Sequence, residues 1–306
     1  MKKSKLARLI AAICCFAMLL TACSSNQTPA ETGGDGSTTA DSEKKVLTYA
    51  IGAETTDLST LYMNNSLYCT SKLVYENLVD FDNGEIVPGL AESWEYNDDQ
   101  TELTFHLRQG VTFHNGEPFN AEAVKTNLEH KQSNPSFYSL KGITDIQEIE
   151  VVDEYTITLH YDHPFYAYLQ DFCWPDVNPM SAPEYIIPGD FQTISGVAGT
   201  GPYIYDEYVA GEYTRFVRNE DYWGETPYWD EIIVKYIPDS TSRLQALQTG
   251  EIDMIYGGTL LTYEEYDQAL AMDGIDGQMA EKDTRVQVIT TNATSPYLSD
   301  IRVRQA

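Results

Sequence analysis

The chain of 306 residues is 42% hydrophobic, the content of a globular protein with a real core rather than of a disordered or fibrous one. Its 19 Lys and Arg stand against 47 Asp and Glu, and the resulting net charge of −28 repels nucleic-acid backbones and anionic lipid surfaces. A nucleic-acid-binding role is thereby excluded, whereas an acidic surface that keeps the protein soluble or concentrates cationic ligands is compatible with the count.

The N-terminus carries Lys2, Lys3, Lys5 and Arg8 ahead of an apolar run at 9–20 that is too short to span a bilayer. This is the pattern of a signal peptide. It ends in Leu20-Thr21-Ala22-Cys23, which resembles a bacterial lipobox, so residues 1–22 are expected to be removed and Cys23 to take the lipid. Processing would leave 15 basic side chains against 47 acidic ones, a charge near −32. Residues 23–45 hold no apolar cluster large enough to bury and are expected to form a flexible tether. Of the five Cys, Cys14 and Cys15 leave with the signal. Cys69 and Cys173 remain, either paired or as two buried thiols.

The folded body is expected from Val46, where Val46-Leu47-Thr48-Tyr49-Ala50-Ile51 reads as a strand. Leu103, Phe105 and Leu107 alternate with polar neighbours as a half-buried strand, and Val111 and Phe113 extend the alternation beyond Gly110. Ala121, Val124 and Leu128 then fall on one face of a helix that Asn120 is placed to cap. Tyr155, Ile157, Leu159 and Tyr161 predict another strand. A strand at 232–237, a helix at 240–249 stopped by Gly250 and a strand at 251–255 make a βαβ unit. The class is α/β or mixed α+β with a mixed sheet and flanking helices. Residues 300–306 read as the opening of an amphipathic helix, so the chain is expected to be the N-terminal part of a longer protein.

Catalytic and metal motifs fail one by one. His160 and His163 are the closest histidine pair, but strand alternation sends them to opposite faces unless the chain turns at Asp162. Gly199-Thr200-Gly201 is followed by Pro202 and leads into Tyr203-Ile204-Tyr205 instead of a helix, which is wrong for a dinucleotide loop. Ser42 and Lys45 have a serine–lysine spacing but lie in the tether, where no oxyanion hole can be held. No nucleophile elbow, P-loop, HExxH or EF-hand loop occurs, so neither catalysis nor a resident metal or cofactor is predicted. The 22 Tyr and 4 Trp supply apolar faces with polar tips, useful in cores and in pockets for amphipathic ligands.

Several ordered motifs belong together. Leu73-Val74-Tyr75-Glu76-Asn77-Leu78-Val79, Pro88-Gly89-Leu90-Ala91-Glu92-Ser93-Trp94 and the stretch from Leu107 through Phe113-His114-Asn115-Gly116-Glu117-Pro118-Phe119 to Ala121 resemble the family 5 extracellular solute-binding proteins of ABC importers. Gly199-Thr200-Gly201-Pro202-Tyr203, Asn219-Glu220-Asp221-Tyr222-Trp223-Gly224 and Leu247-Gln248-Thr249-Gly250-Glu251 continue the similarity, which covers essentially all of 46–306.

That resemblance implies a type II periplasmic-binding-protein architecture of two lobes closing on a ligand. Residues 46–299 would form lobe I, and 300–306 the start of a second lobe absent from this chain. It implies a monomeric capture protein, anchored outside the cytoplasm on the cell surface or in a periplasm, that delivers peptides or similar small solutes to permease subunits. Its cleft-lining segments map to Tyr68, Tyr138, Trp174 and Asp176, the aromatics as walls and Asp176 as a cation partner. The resemblance at 216–227 and 237–256 is strongest to nickel-binding members, so a nickel chelate is the second ligand class; the arginine-bearing loop of those members has no Arg here between Trp174 and Met180. A ligand-sensing surface lipoprotein and a surface hydrolase are the readings from other classes.

Overall fold

The computed structural model describes residues 44–278 except 56, 57, 59, 61–69, 83, 175–177, 192, 194, 258 and 259. Strand β1 (Val46–Ile51) is an interior strand of a five-stranded mixed sheet. It pairs in parallel with β10 (Glu231–Tyr236) on one side and β11 (Met254–Ile255) on the other. The hairpin of β8 (Tyr203–Val209) and β9 (Tyr213–Arg218) completes the far side in antiparallel register. An interior parallel strand is covered on both faces, and β1 shows this. Ala50 packs with Ala246 and Ile252 under helix α5 (Ser240–Thr249), while Tyr49 and Ile51 join Val74, Tyr75, Phe216 and Val234 on the other face.

A separate four-stranded antiparallel sheet runs β4 (Ala91–Tyr96), β5 (Glu102–Leu107), β7 (Thr156–Tyr161), β6 (Ile146–Asp153). The predicted alternation decides its buried face: Leu103, Phe105, Ile157 and Leu159 are fully buried, together with Val124 and Leu128 of helix α2 (Ala121–Ser133). Phe105 also meets Phe172 edge to face at 5.2 Å. The short helices α1 (Ser71–Val74), α3 (Lys141–Thr144) and α4 (Tyr168–Asp171) and the hairpin β2 (Val79–Asp82) and β3 (Glu85–Pro88) fill the spaces between. Helix α6 (Tyr263–Leu270) follows β11.

The α/β class with a mixed sheet and flanking helices is borne out, but among the described residues the mixed and the antiparallel sheet each carry a large core of their own where the sequence suggested one sheet. Asn120 caps α2 as expected, its side chain accepting from Ala123 N–H at 3.0 Å. Gly250 ends α5 at φ 72°, the left-handed conformation glycine adopts without a Cβ penalty. Residues 111–113 do not extend β5. Gly110 turns the chain, and Val111 and Phe113 bury themselves from a loop closed by a bridge between Thr112 and Pro118. The βαβ unit is real, yet its strands β10 and β11 are not neighbours, because β1 lies between them.

Candidate functional site

The motif around Glu76 is a structural knot. The N–H of Gly201 donates to the carbonyl of Val74 at 2.9 Å, and a Cβ on Gly199 would lie only 2.0 Å from that oxygen. The glycines of the GTGP segment are thus required for close approach to α1, not for phosphate binding. This clamp brings Glu76 under three donors. Its Oε2 accepts from Thr200 Oγ1 and Trp223 Nε1, and its Oε1 from the Tyr222 hydroxyl, each at 2.8 Å. Burial raises the Glu76 pKa and the three hydrogen bonds pull it part of the way back. The Arg108 guanidinium lies 4.3 Å over the Trp223 ring and closes the outer side. A cleft of about 210 Å³ opens beside the knot, where Lys72 and Asp80 pair with each other at 2.9 Å. Through Thr200, Tyr222 and Trp223, the Glu76 knot joins three sequence motifs. Sequence reasoning placed these motifs in order but missed Glu76 as their hub; the signal was a lone carboxylate within Leu73-Val74-Tyr75-Glu76-Asn77-Leu78-Val79.

Two of the predicted contact residues, Tyr138 and Trp174, are exposed, each on its own short segment. Tyr138 follows a single 3₁₀ turn at Pro135–Phe137 that starts with the Asn134 side chain accepting from Ser136 N–H at 2.9 Å. Phe137 is fully buried, and Tyr138 beside it is 75% exposed. Trp174 repeats the device: Phe172 is fully buried at the end of α4, whereas Trp174 is 55% exposed. An inward aromatic anchors each segment and an outward one is presented to solvent. The two segments are tied together, since Gly142 N–H at the head of α3 donates to Asp171 Oδ2 of α4 at 2.7 Å. Burial raises the pKa of Asp171, and the bonds from the Gly142 and Lys141 amides oppose it. Asn178 N–H donates to the carbonyl of Trp174 at 2.9 Å. Tyr68, Asp176 and Cys23 lie outside the described residues, as does Cys69.

Cys173, His160 and His163 are held apart from one another by their own partners among the described residues. Cys173 is a free, buried thiol whose pKa burial pushes up to about 12, the opposite of an activated nucleophile. His160 bonds Glu150 at 3.0 Å on the antiparallel sheet, while His163 pairs with Asp162 in the turn that follows, so the two do not face a common point. Among the described residues no group of three or more His, Cys, Asp or Glu is arranged to hold a metal ion. No helix among them is long and apolar enough to cross a membrane.

Comparison with known proteins supplies a context for these residues. The family model of bacterial extracellular solute-binding proteins, family 5 Middle, matches residues 85–306. The nickel-binding periplasmic protein of Escherichia coli is 32% identical over 255 residues, covering 80% of this chain and 47% of that protein. NikA from Brucella suis, solved in complex with Fe(III)-EDTA, superposes with a TM-score of 0.68 at 33% identity over 74% of this chain and 46% of its own. DppA from Helicobacter pylori, solved with the peptide STSA, gives 0.64 at 28% identity over 74% and 49%. The chain spans about half the length of the curated relatives it matches. These neighbours are type II periplasmic binding proteins, and the α/β fold seen here is part of theirs.

Proposed function

The chain belongs to family 5 of the bacterial extracellular solute-binding proteins, and from that premise we propose that residues 46–299 form one lobe of a capture protein that delivers a peptide or similar small solute to an ABC permease. The observation that carries the reading is the pair of outward aromatics, Tyr138 and Trp174, each presented beside a fully buried anchor on segments joined through Gly142 and Asp171. Exposed aromatic faces on rigid supports are suited to an amphipathic ligand. Tyr68 and Asp176 complete the proposed contacts, with Asp176 as the partner of a ligand cation such as a peptide amino group. Contacts from a second lobe, starting at 300–306, would favour the closed state in proportion to their strength. The proposed working form is a monomer, held outside the cytoplasm by a lipid on Cys23 and the 23–45 tether. It has no catalytic role.

A nickel chelate is the second reading, favoured by the identity with the Escherichia coli nickel-binding protein. Against it, residues 173–182 contain no Arg, Lys or His to meet an anionic chelate. Calorimetric titration of the complete two-lobed protein with di- to hexapeptides and with nickel plus histidine separates the two. Saturable binding of a peptide supports the first reading; heat only with nickel and histidine replaces it with the second; silence with both panels removes the capture of either ligand.

A further inference from the structure

Lys131 lies in the last turn of α2 and is only 1% exposed. Its ammonium donates to Asn178 Oδ1 at 3.1 Å and to the carbonyl of Pro179 at 2.6 Å, two neutral acceptors. Burial alone pulls its pKa down, to about 7, with no carboxylate acting on it. Lysines are almost never fully buried without a charged partner, because the desolvation cost is large. What this one holds is therefore informative. Asn178 is itself fully buried: its Oδ1 accepts from Lys131, its Nδ2 donates to the carbonyl of Asp171 at 3.4 Å, and its backbone N–H donates to the carbonyl of Trp174 at 2.9 Å. Asp171 in turn accepts from Gly142 at the head of α3. Asn178 thus joins Lys131 of α2, the end of α4 and the backbone of Trp174, and the Asp171 side chain carries the link on to α3.

We infer that Lys131 is a positioning residue for the proposed ligand surface: through Asn178 it fixes the backbone of Trp174 and so the stance of the exposed indole. The inference rests on the proposed function only in treating Trp174 as a ligand wall, and the positioning itself is measurable without ligand. The full chain is compared as wild type, Lys131→Met, Asn178→Ala and the double variant. Two quantities are read: amide hydrogen exchange at Asn178 by NMR, and iodide quenching of Trp174 fluorescence, isolated by difference against Trp174→Phe. Lys131→Met is expected to speed exchange at Asn178 about tenfold, the scale of one lost charge-assisted hydrogen bond. It should also raise Trp174 quenching while leaving amide protection in β5 and β7 unchanged. Asn178→Ala should raise the quenching similarly, and the double variant should add nothing further. Unchanged exchange and quenching in a folded Lys131→Met protein overturn the inference. If that variant does not fold, Asn178→Ala decides, and unchanged Trp174 quenching there overturns it equally. Should Trp174→Ala leave ligand binding intact, the functional reading fails while the positioning result stands on its own.

Discussion

Glu76 shows how one side chain can hold distant parts of a sequence together. It accepts from Thr200, Tyr222 and Trp223, and truncation to Ala leaves three donors without their acceptor. Glu76→Ala is expected to cost about 3 kcal/mol, since unsatisfied buried donors cost about 1–3 kcal/mol each and water reaches some of them through the cleft. Denaturant unfolding measures this. The sign of its pH dependence follows from its raised pKa. The folded state binds the Glu76 proton more tightly than the unfolded state, so this contribution is fully present below the ordinary glutamate pKa and is lost as pH rises through the folded value. Glu76→Gln should remove that decline, and Tm measured across the window starting at the usual glutamate range would show a flatter profile than wild type; an identical slope would contradict the assignment. Beyond the lone carboxylate in an otherwise apolar motif, the partners of Glu76 were not legible beforehand, because they lie 124 to 147 residues away and leave no local pattern. Lys131 was equally hidden: its place in the helix suggests a solvated charge, and only the packing of 178–180 against α2 buries it. Tyr138 and Trp174 were indicated through family resemblance, and their exposure beside buried anchors is what the fold adds.

At the scale of elements, local signals served well. The two-residue alternation of β5 and β7, the Asn120 cap and the Gly250 stop all lie within a few residues of what they determine. Asn120→Ala removes the acceptor of the Ala123 N–H, so α2 should lose about 1 kcal/mol, read as a lower denaturation midpoint with an unchanged m-value. Helix α6 offers a sharper test. Its capping box joins Thr262 and Glu265, and Glu265 also accepts from Ser240 and Thr241 at the start of α5. The Thr262 backbone bond, then the Ser240 bond, draw the Glu265 pKa down to about 2. A lowered folded pKa means that the stabilisation is present above the ordinary glutamate value and is lost as pH falls through about 2. Amide exchange over Tyr263–Leu270, corrected for intrinsic rates, should therefore lose protection in acid in the wild type, and Glu265→Gln should show weak protection at every pH. What local signals did not reveal is the partition of the larger strands between a mixed and an antiparallel sheet. Strand partners are chosen by long-range contacts, as β1 shows by inserting between β10 and β11.

For the whole molecule, the described residues join a core on the mixed sheet, a core on the antiparallel sheet and the Glu76 knot, and Tyr138 and Trp174 are turned outward from braced segments. The proposed binding surface would need rigidity in its support more than reactivity in its side chains, which accords with a buried Cys173 and with His160 and His163 engaged by neighbouring carboxylates. The central claim, that Trp174 is a wall of the ligand site, is tested most directly by the dissociation constant of the complete protein for whichever panel ligand it binds, compared between wild type and Trp174→Ala. An aromatic anchor contributes on the order of 2 kcal/mol, so binding should weaken about 30-fold with the Tm unchanged. An affinity unaltered by Trp174→Ala would contradict the account.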